Sequence, residues 1–151
     1  MWKQTCRNFL TGAATLAIFA GLGLASNHHV LNGTWQLVPA RSDLHGEAGI
    51  QTGTVTINDR EGNIYVQRNF DFDGANLSTS TSFSTDARAK ASIKDVGFKS
   101  KAKWDGDVLK VMTMQDGVNI VERYRLRDEG TMVLQVERTG HQPETLYFQR
   151  Q

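Results

Sequence analysis

The chain has 151 residues, 17 basic and 16 acidic side chains, a net charge of +1, two prolines and one cysteine. So even a balance excludes the broad basic field that steers a protein to nucleic acid or an anionic membrane surface. The length allows one domain and a leader.

Residues 1–25 differ from the rest. Lys3 and Arg7 form a positive start without an acid, and residues 9–24 are uncharged and largely apolar. That run is too short and glycine-rich for a comfortable membrane span, and Gly23-Leu24-Ala25 supplies a small-x-small cleavage pattern. Residues 1–25 therefore read as a signal peptide cut after Ala25, with the protein periplasmic or secreted; the rival reading is an uncleaved anchor helix. Cys6 precedes the apolar run, so it is not the lipidated cysteine of a lipoprotein. The mature domain, 26–151, has no cysteine and carries 15 basic against 16 acidic residues, a net charge of −1. It must be held together by its core, which a chain of this length can supply.

The predicted elements are strands throughout. A first strand opens at Gly33-Thr34-Trp35, and residues 40–49 read as a loop over one barrel mouth. Val55 and Ile57 lead through Asp59-Arg60-Glu61-Gly62 to Ile64, Val66, Phe70 and Phe72. Asp73-Gly74 then turns the chain into Leu77, Thr79, Thr81 and Phe83. Residues 86–95 alternate alanine or isoleucine with basic residues and read as a further strand, with a short helix as the alternative that alanine and lysine also suit. In residues 98–104, three lysines alternate with Phe98, Ala102 and Trp104, one face wet and the other apolar. A turn at Asp105-Gly106 pairs Ala102 with Leu109 and Ser100 with Val111. Asp116-Gly117 pairs Val111 with Glu122, and Asp128-Glu129-Gly130 pairs Leu126 with Met132 and Tyr124 with Leu134. The buried face stays in phase through all three turns. Leu146 and Phe148 point inward on a last strand ending at Arg150. The fold class is all-β: an antiparallel up-and-down meander of 8–10 strands closed into a barrel. A membrane barrel is disfavoured, because the face opposite the core carries Lys99, Lys101, Lys103, Arg123, Arg125 and Arg127, and a basic residue facing lipid at the midplane costs about 2–4 kcal/mol.

The Gly33-Thr34-Trp35 opening resembles that of the lipocalin-like (calycin) superfamily. Residues 31–42 and the Lys-Trp-Asp-Gly-Asp stretch 103–107 are similar to small exported bacterial lipocalin-like domains, most without an assigned function. The resemblance implies a tryptophan packed at the closed end of the barrel under a basic residue of the last strand. Arg150 is the first candidate for that cation and Arg138 the second. Gly33, Trp35 and Arg150 are thus structural.

Polar residues interrupt the inward faces. Arg68 shares a face with Phe70, Glu122 with Tyr124, and Arg138 follows Leu134 and Val136. As a ligand site, Arg68, Glu122, Tyr124 and Arg138 would grip a polar head while Phe70, Phe98, Trp104 and Leu134 hold an apolar body. The competing structural reading is a Glu122–Arg138 ion pair near a barrel mouth.

No cysteine nucleophile, Gly-x-Ser-x-Gly elbow, phosphate loop or His-Glu-x-x-His motif occurs. No catalytic residue and no cofactor are assigned, and Glu122 lacks a second group for acid–base work. Cleavage after Ala25 would expose Ser26-Asn27-His28, where a free amine, two amides and the His28 imidazole form a square-planar copper or nickel site; a plain polar tail is the simpler reading. The arginines at 123, 125 and 127 lack interleaved aromatics, so they read as a solvated face and not a nucleic-acid surface. The expected partner is a small apolar or amphipathic ligand, with no stable membrane insertion after cleavage. The alternative is a protein-interaction module, such as a periplasmic protease inhibitor using residues 26–30 as a flexible trunk.

Overall fold

The computed structural model describes residues 28–44, 50–84 and 98–151. The signal-peptide and cleavage-site readings, the strand reading of 86–95, residues 45–49 of the mouth loop, Ser26-Asn27 and the side chains of His28 and Phe98 lie outside the described residues.

The strands follow in chain order: β1 (Gly33–Leu37), β2 (Ile50–Arg60), β3 (Asn63–Phe72), β4 (Ala75–Ser84), β5 (Phe98–Asp105), β6 (Val108–Gln115), β7 (Val118–Asp128), β8 (Thr131–Arg138) and β9 (Glu144–Arg150). They form one antiparallel sheet in the order β4-β3-β2-β1-β9-β8-β7-β6-β5. The first and last strands pair, Trp35 opposite Arg150, so the sheet curls into a nearly closed barrel with β4 and β5 as its two edges. Between β1 and β2, Pro39–Arg41 forms a short 3₁₀ helix and Asp43 bridges Thr145, so the start of the mouth loop is fastened to β9.

The registers expected around Asp116-Gly117 and Asp128-Glu129-Gly130 hold, including Val111 opposite Glu122 and Tyr124 opposite Leu134. The register at 105–106 differs. Trp104 pairs with Leu109 and Ala102 with Val111, and the turn is Gly106-Asp107. Gly106 takes φ 62° while Asp107 is not among the positive-φ residues, the arrangement of a two-residue turn with glycine at its first central position. The shift moves each partner by two residues, so the inward set is unchanged.

Successive hairpins alternate between the two barrel ends. One end is plugged by the 3₁₀ helix His28–Leu31. Leu31 and Trp35 are fully buried there, and the Trp35 indole Nε1 donates to the Leu31 carbonyl at 2.9 Å. Asn32 ties the plug to β2, accepting from the Asp59 amide at 2.7 Å and donating to its carbonyl at 3.1 Å. Arg150 fastens the far side. Its guanidinium lies 4.2 Å from the Trp35 ring centroid and donates to the Asn32 and Val30 carbonyls, each at 2.8 Å. Arg138, the second candidate for that cation, sits on β8 away from Trp35, because its strand position places it beside Glu144. Gly33 is required for two reasons. Its φ is +135°, and a Cβ there would come within 3.0 Å of an Arg150 nitrogen. The glycine-x-tryptophan pattern is thus a packing solution: glycine admits the cation that covers the indole.

Arg150→Ala should lower stability by about 1–2 kcal/mol, the scale of one cation–π contact with two exposed charge-assisted hydrogen bonds. Arg150→Lys should fall between, since an ammonium cannot fork to both carbonyls. Urea denaturation midpoints measure both; equal stability of Arg150→Ala and the parent would contradict this account of the plug.

Candidate functional site

Three inward side chains meet across the barrel halfway between its ends. Arg68 on β3 and Glu122 and Tyr124 on β7 are joined although their strands never pair. Arg68 Nε donates to Glu122 Oε1 at 2.9 Å and to the Tyr124 hydroxyl at 2.8 Å, and Nη2 donates to Glu122 Oε2 at 2.6 Å. The Tyr124 hydroxyl in turn donates to Glu122 Oε1 at 2.9 Å. The result is a closed triangle of charge-assisted hydrogen bonds. Tyr124 is fully buried, and only 11% of the Arg68 side chain and 14% of that of Glu122 remain exposed.

The electrostatics follow from this enclosure. Burial works against the Arg68 charge, but Tyr124 and Glu122 outweigh it and hold the guanidinium firmly protonated. Burial pushes the Tyr124 phenol well above its ordinary range, so it stays a neutral donor to Glu122.

This triangle is a partition. On its plugged side Trp35, Val55, Ile57, Ile64, Val66, Leu109, Met132 and Phe148 fill the barrel as a packed core. On the other side lies a cavity of about 540 Å³. Arg68 and Glu122 form part of its wall, with Phe70, Phe72, Ile120, Leu134, Val136 and Leu146. Within that wall, Phe70 lies over Gly53, where an added Cβ would overlap the ring at 2.3 Å, and meets Phe72 edge-on with centroids 6.2 Å apart. Hydroxyls of Thr79 and Thr81 on β4, Ser100 on β5 and Thr113 on β6 line the side where the two sheet edges face each other. Ser100 and Thr113 hydroxyls are 2.7 Å apart. Near the open end Arg138 Nη2 lies 3.6 Å from Glu144 Oε2.

Of the residues singled out from the sequence, Arg68, Phe70, Glu122, Leu134 and Arg138 line the cavity and Tyr124 supports its floor. Trp104 is elsewhere: its indole donates to the buried Asp59 carboxylate at 3.0 Å, at the plugged end. The Glu122–Arg138 pairing is replaced by two others, Glu122 with Arg68 and Arg138 with Glu144. The physical reason is that Glu122 reaches across the barrel, a contact that strand register does not report. Glu144 escaped the sequence reading although it shares the inward alternation of Leu146 and Phe148, which was the available signal. No group of three or more histidine, cysteine or acidic residues placed for a metal occurs among the described residues. On the outer face Arg123 pairs with Glu137 at 2.7 Å, and Arg127 and Arg41 both stack on Tyr147.

No protein-family model matches the chain, and no curated protein matches it. Solved structures match its fold. The fluorescent protein UnaG superposes with a TM-score of 0.59 at 19% identity, covering 80% of this chain and 96% of that one. The REP1-NXSQ fatty acid transporter gives 0.59 at 17%, with 80% and 96% covered. A Schistosoma mansoni fatty acid binding protein, solved in complex with arachidonic acid, gives 0.55 at 18%, with 81% and 96% covered. The chain shares with these proteins the fold of a nearly closed antiparallel β-barrel.

Removing one partner of the buried pair leaves an uncompensated charge. Arg68→Met and Glu122→Leu should each cost about 3–5 kcal/mol, whereas the double variant should cost less than either alone. A double-mutant cycle by urea denaturation reads this coupling; additive losses would show that the pair is not a unit.

Proposed function

We propose that the protein is an exported binding protein that holds a small apolar or amphipathic molecule in the open half of its barrel. The observation that carries this reading is the cavity itself. A volume of about 540 Å³, walled by aliphatic and aromatic side chains and floored by a satisfied polar triangle, has the size and composition of a small-molecule site. The partition supports it further, because it keeps the packed core separate from the space a ligand would fill. The fold's neighbours include proteins described as a fatty acid transporter and a fatty acid binding protein. Export rests on the sequence pattern of residues 1–25.

Glu122 is engaged by both Arg68 and Tyr124, which suits a fixed wall charge better than a proton shuttle. The protein-interaction alternative draws no specific support here. Of its proposed trunk, Val30 lies in the plug, where its carbonyl accepts from Arg150.

Binding should be detectable with the neutral dye Nile red, whose fluorescence should rise on entering the barrel. Val136→Trp places a large side chain in the cavity wall and should weaken Nile red binding at least about tenfold, a change of about 1.4 kcal/mol, while the strand signal in circular dichroism persists. Equal binding by this variant would place the dye elsewhere. Native mass spectrometry of protein purified from its source should show a co-purifying small molecule and an intact mass consistent with loss of residues 1–25.

A further inference from the structure

Resting on the cavity-binding reading above, we infer that the preferred ligand is a neutral, oxygen-bearing amphiphile, such as a long-chain alcohol or monoacylglycerol, and not a fatty-acid anion. The geometry points to this through two independent features of the wall. The first is its charge. Among the described residues lining the cavity the ionisable ones are Arg68, Glu122, Arg138 and Glu144. Each cation already has a carboxylate: Arg68 holds Glu122 in a two-pronged contact at 2.9 and 2.6 Å, and Arg138 lies 3.6 Å from Glu144. Arg68 Nε spends its single hydrogen on Glu122 and Tyr124 together, and the Tyr124 hydroxyl hydrogen goes to Glu122. An incoming carboxylate beside Arg68 would place two anions on the one buried guanidinium, a net negative charge in a desolvated site, which is strongly unfavourable.

The second feature is the division of the remaining wall. The hydroxyl-bearing residues Thr79, Thr81, Ser100 and Thr113 line the β4, β5 and β6 side, Ser100 and Thr113 bonded to each other, while Leu134, Val136 and Leu146 on β8 and β9 are aliphatic. Hydroxyls both donate and accept, so they can satisfy a ligand hydroxyl, ester or ketone without supplying net charge. A ligand matched to this cavity carries uncharged oxygen along one side and hydrocarbon along the other.

The test compares two ligands of one chain length, 1-monolauroylglycerol and laurate, in displacing Nile red from the intact protein at pH 8. The expected result is at least about a tenfold lower Kd for monolauroylglycerol. Laurate binding as well or better would overturn the inference while leaving the cavity-binding reading intact. If neither ligand nor the dye bound, the cavity-binding reading itself would fail. A second arm uses Glu122→Gln, which keeps a hydrogen-bonding group but removes the negative charge. With Arg68 left without its counterion, laurate should gain at least about tenfold relative to monolauroylglycerol and should raise the melting temperature of this variant more than that of the parent. An unchanged ratio in a folded Glu122→Gln protein would also overturn the inference. Should that variant not fold, the parent comparison decides alone.

Discussion

The Arg68–Glu122–Tyr124 triangle is the constraint around which the barrel is organised. It joins walls that share no backbone hydrogen bonds, β3 and β7, and it does so inside the molecule, where an unpaired charge would be intolerable. No buried side-chain polar atom in it lacks a partner, so much of the cost of burying it is met locally. A buried ion pair of this kind adds little net stability compared with apolar side chains of similar size. What it supplies is position: it stops the packed core at one level and leaves a polar floor for the space beyond.

The plugged end shows the complementary solution. There the 3₁₀ helix His28–Leu31, Trp35 and Arg150 seal the barrel with one buried indole, one cation on its face and hydrogen bonds to exposed carbonyls. Trp104 and Asp59 extend the seal from β5 and β2. With that end closed and the polar triangle across the middle, the cavity lies on the mouth side, between the hydroxyl-bearing strands β4 to β6 and the aliphatic faces of β8 and β9. Plug, partition and cavity are three levels of one interior, set by which inward positions carry bulk, charge or hydroxyls.

Much of this was legible in the amino-acid sequence, because strand alternation and tight turns report local facts. The inward set along β6 to β9 and two of the three downstream turns follow from Asp-Gly pairs and period-two patterning. The third turn was misplaced by one residue on each strand because Asp105-Gly106-Asp107 offers two tight turns, and only the backbone angle at Gly106 decides between them. The cross-barrel pair was not legible. Arg68 and Glu122 are 54 positions apart on strands with no common ladder, and periodicity identifies a residue's face without saying what stands on the opposite wall. The sequence therefore offers Arg138 as the ion-pair partner of Glu122 and groups the inward Trp104 with the ligand-site residues, whereas Glu122 meets Arg68 and Trp104 meets Asp59. The role of Gly33 became clear only with Arg150 seen against it.

The central claim, that the triangle separates a binding cavity from a sealed core, is tested most directly by following backbone amide resonances while 1-monolauroylglycerol is added. The account predicts saturable shifts at Phe70, Ile120, Leu134, Val136 and Leu146, with Trp35, Leu109 and Phe148 little changed. Shifts centred on Trp35, Leu109 and Phe148, with the cavity-wall residues silent, would contradict it.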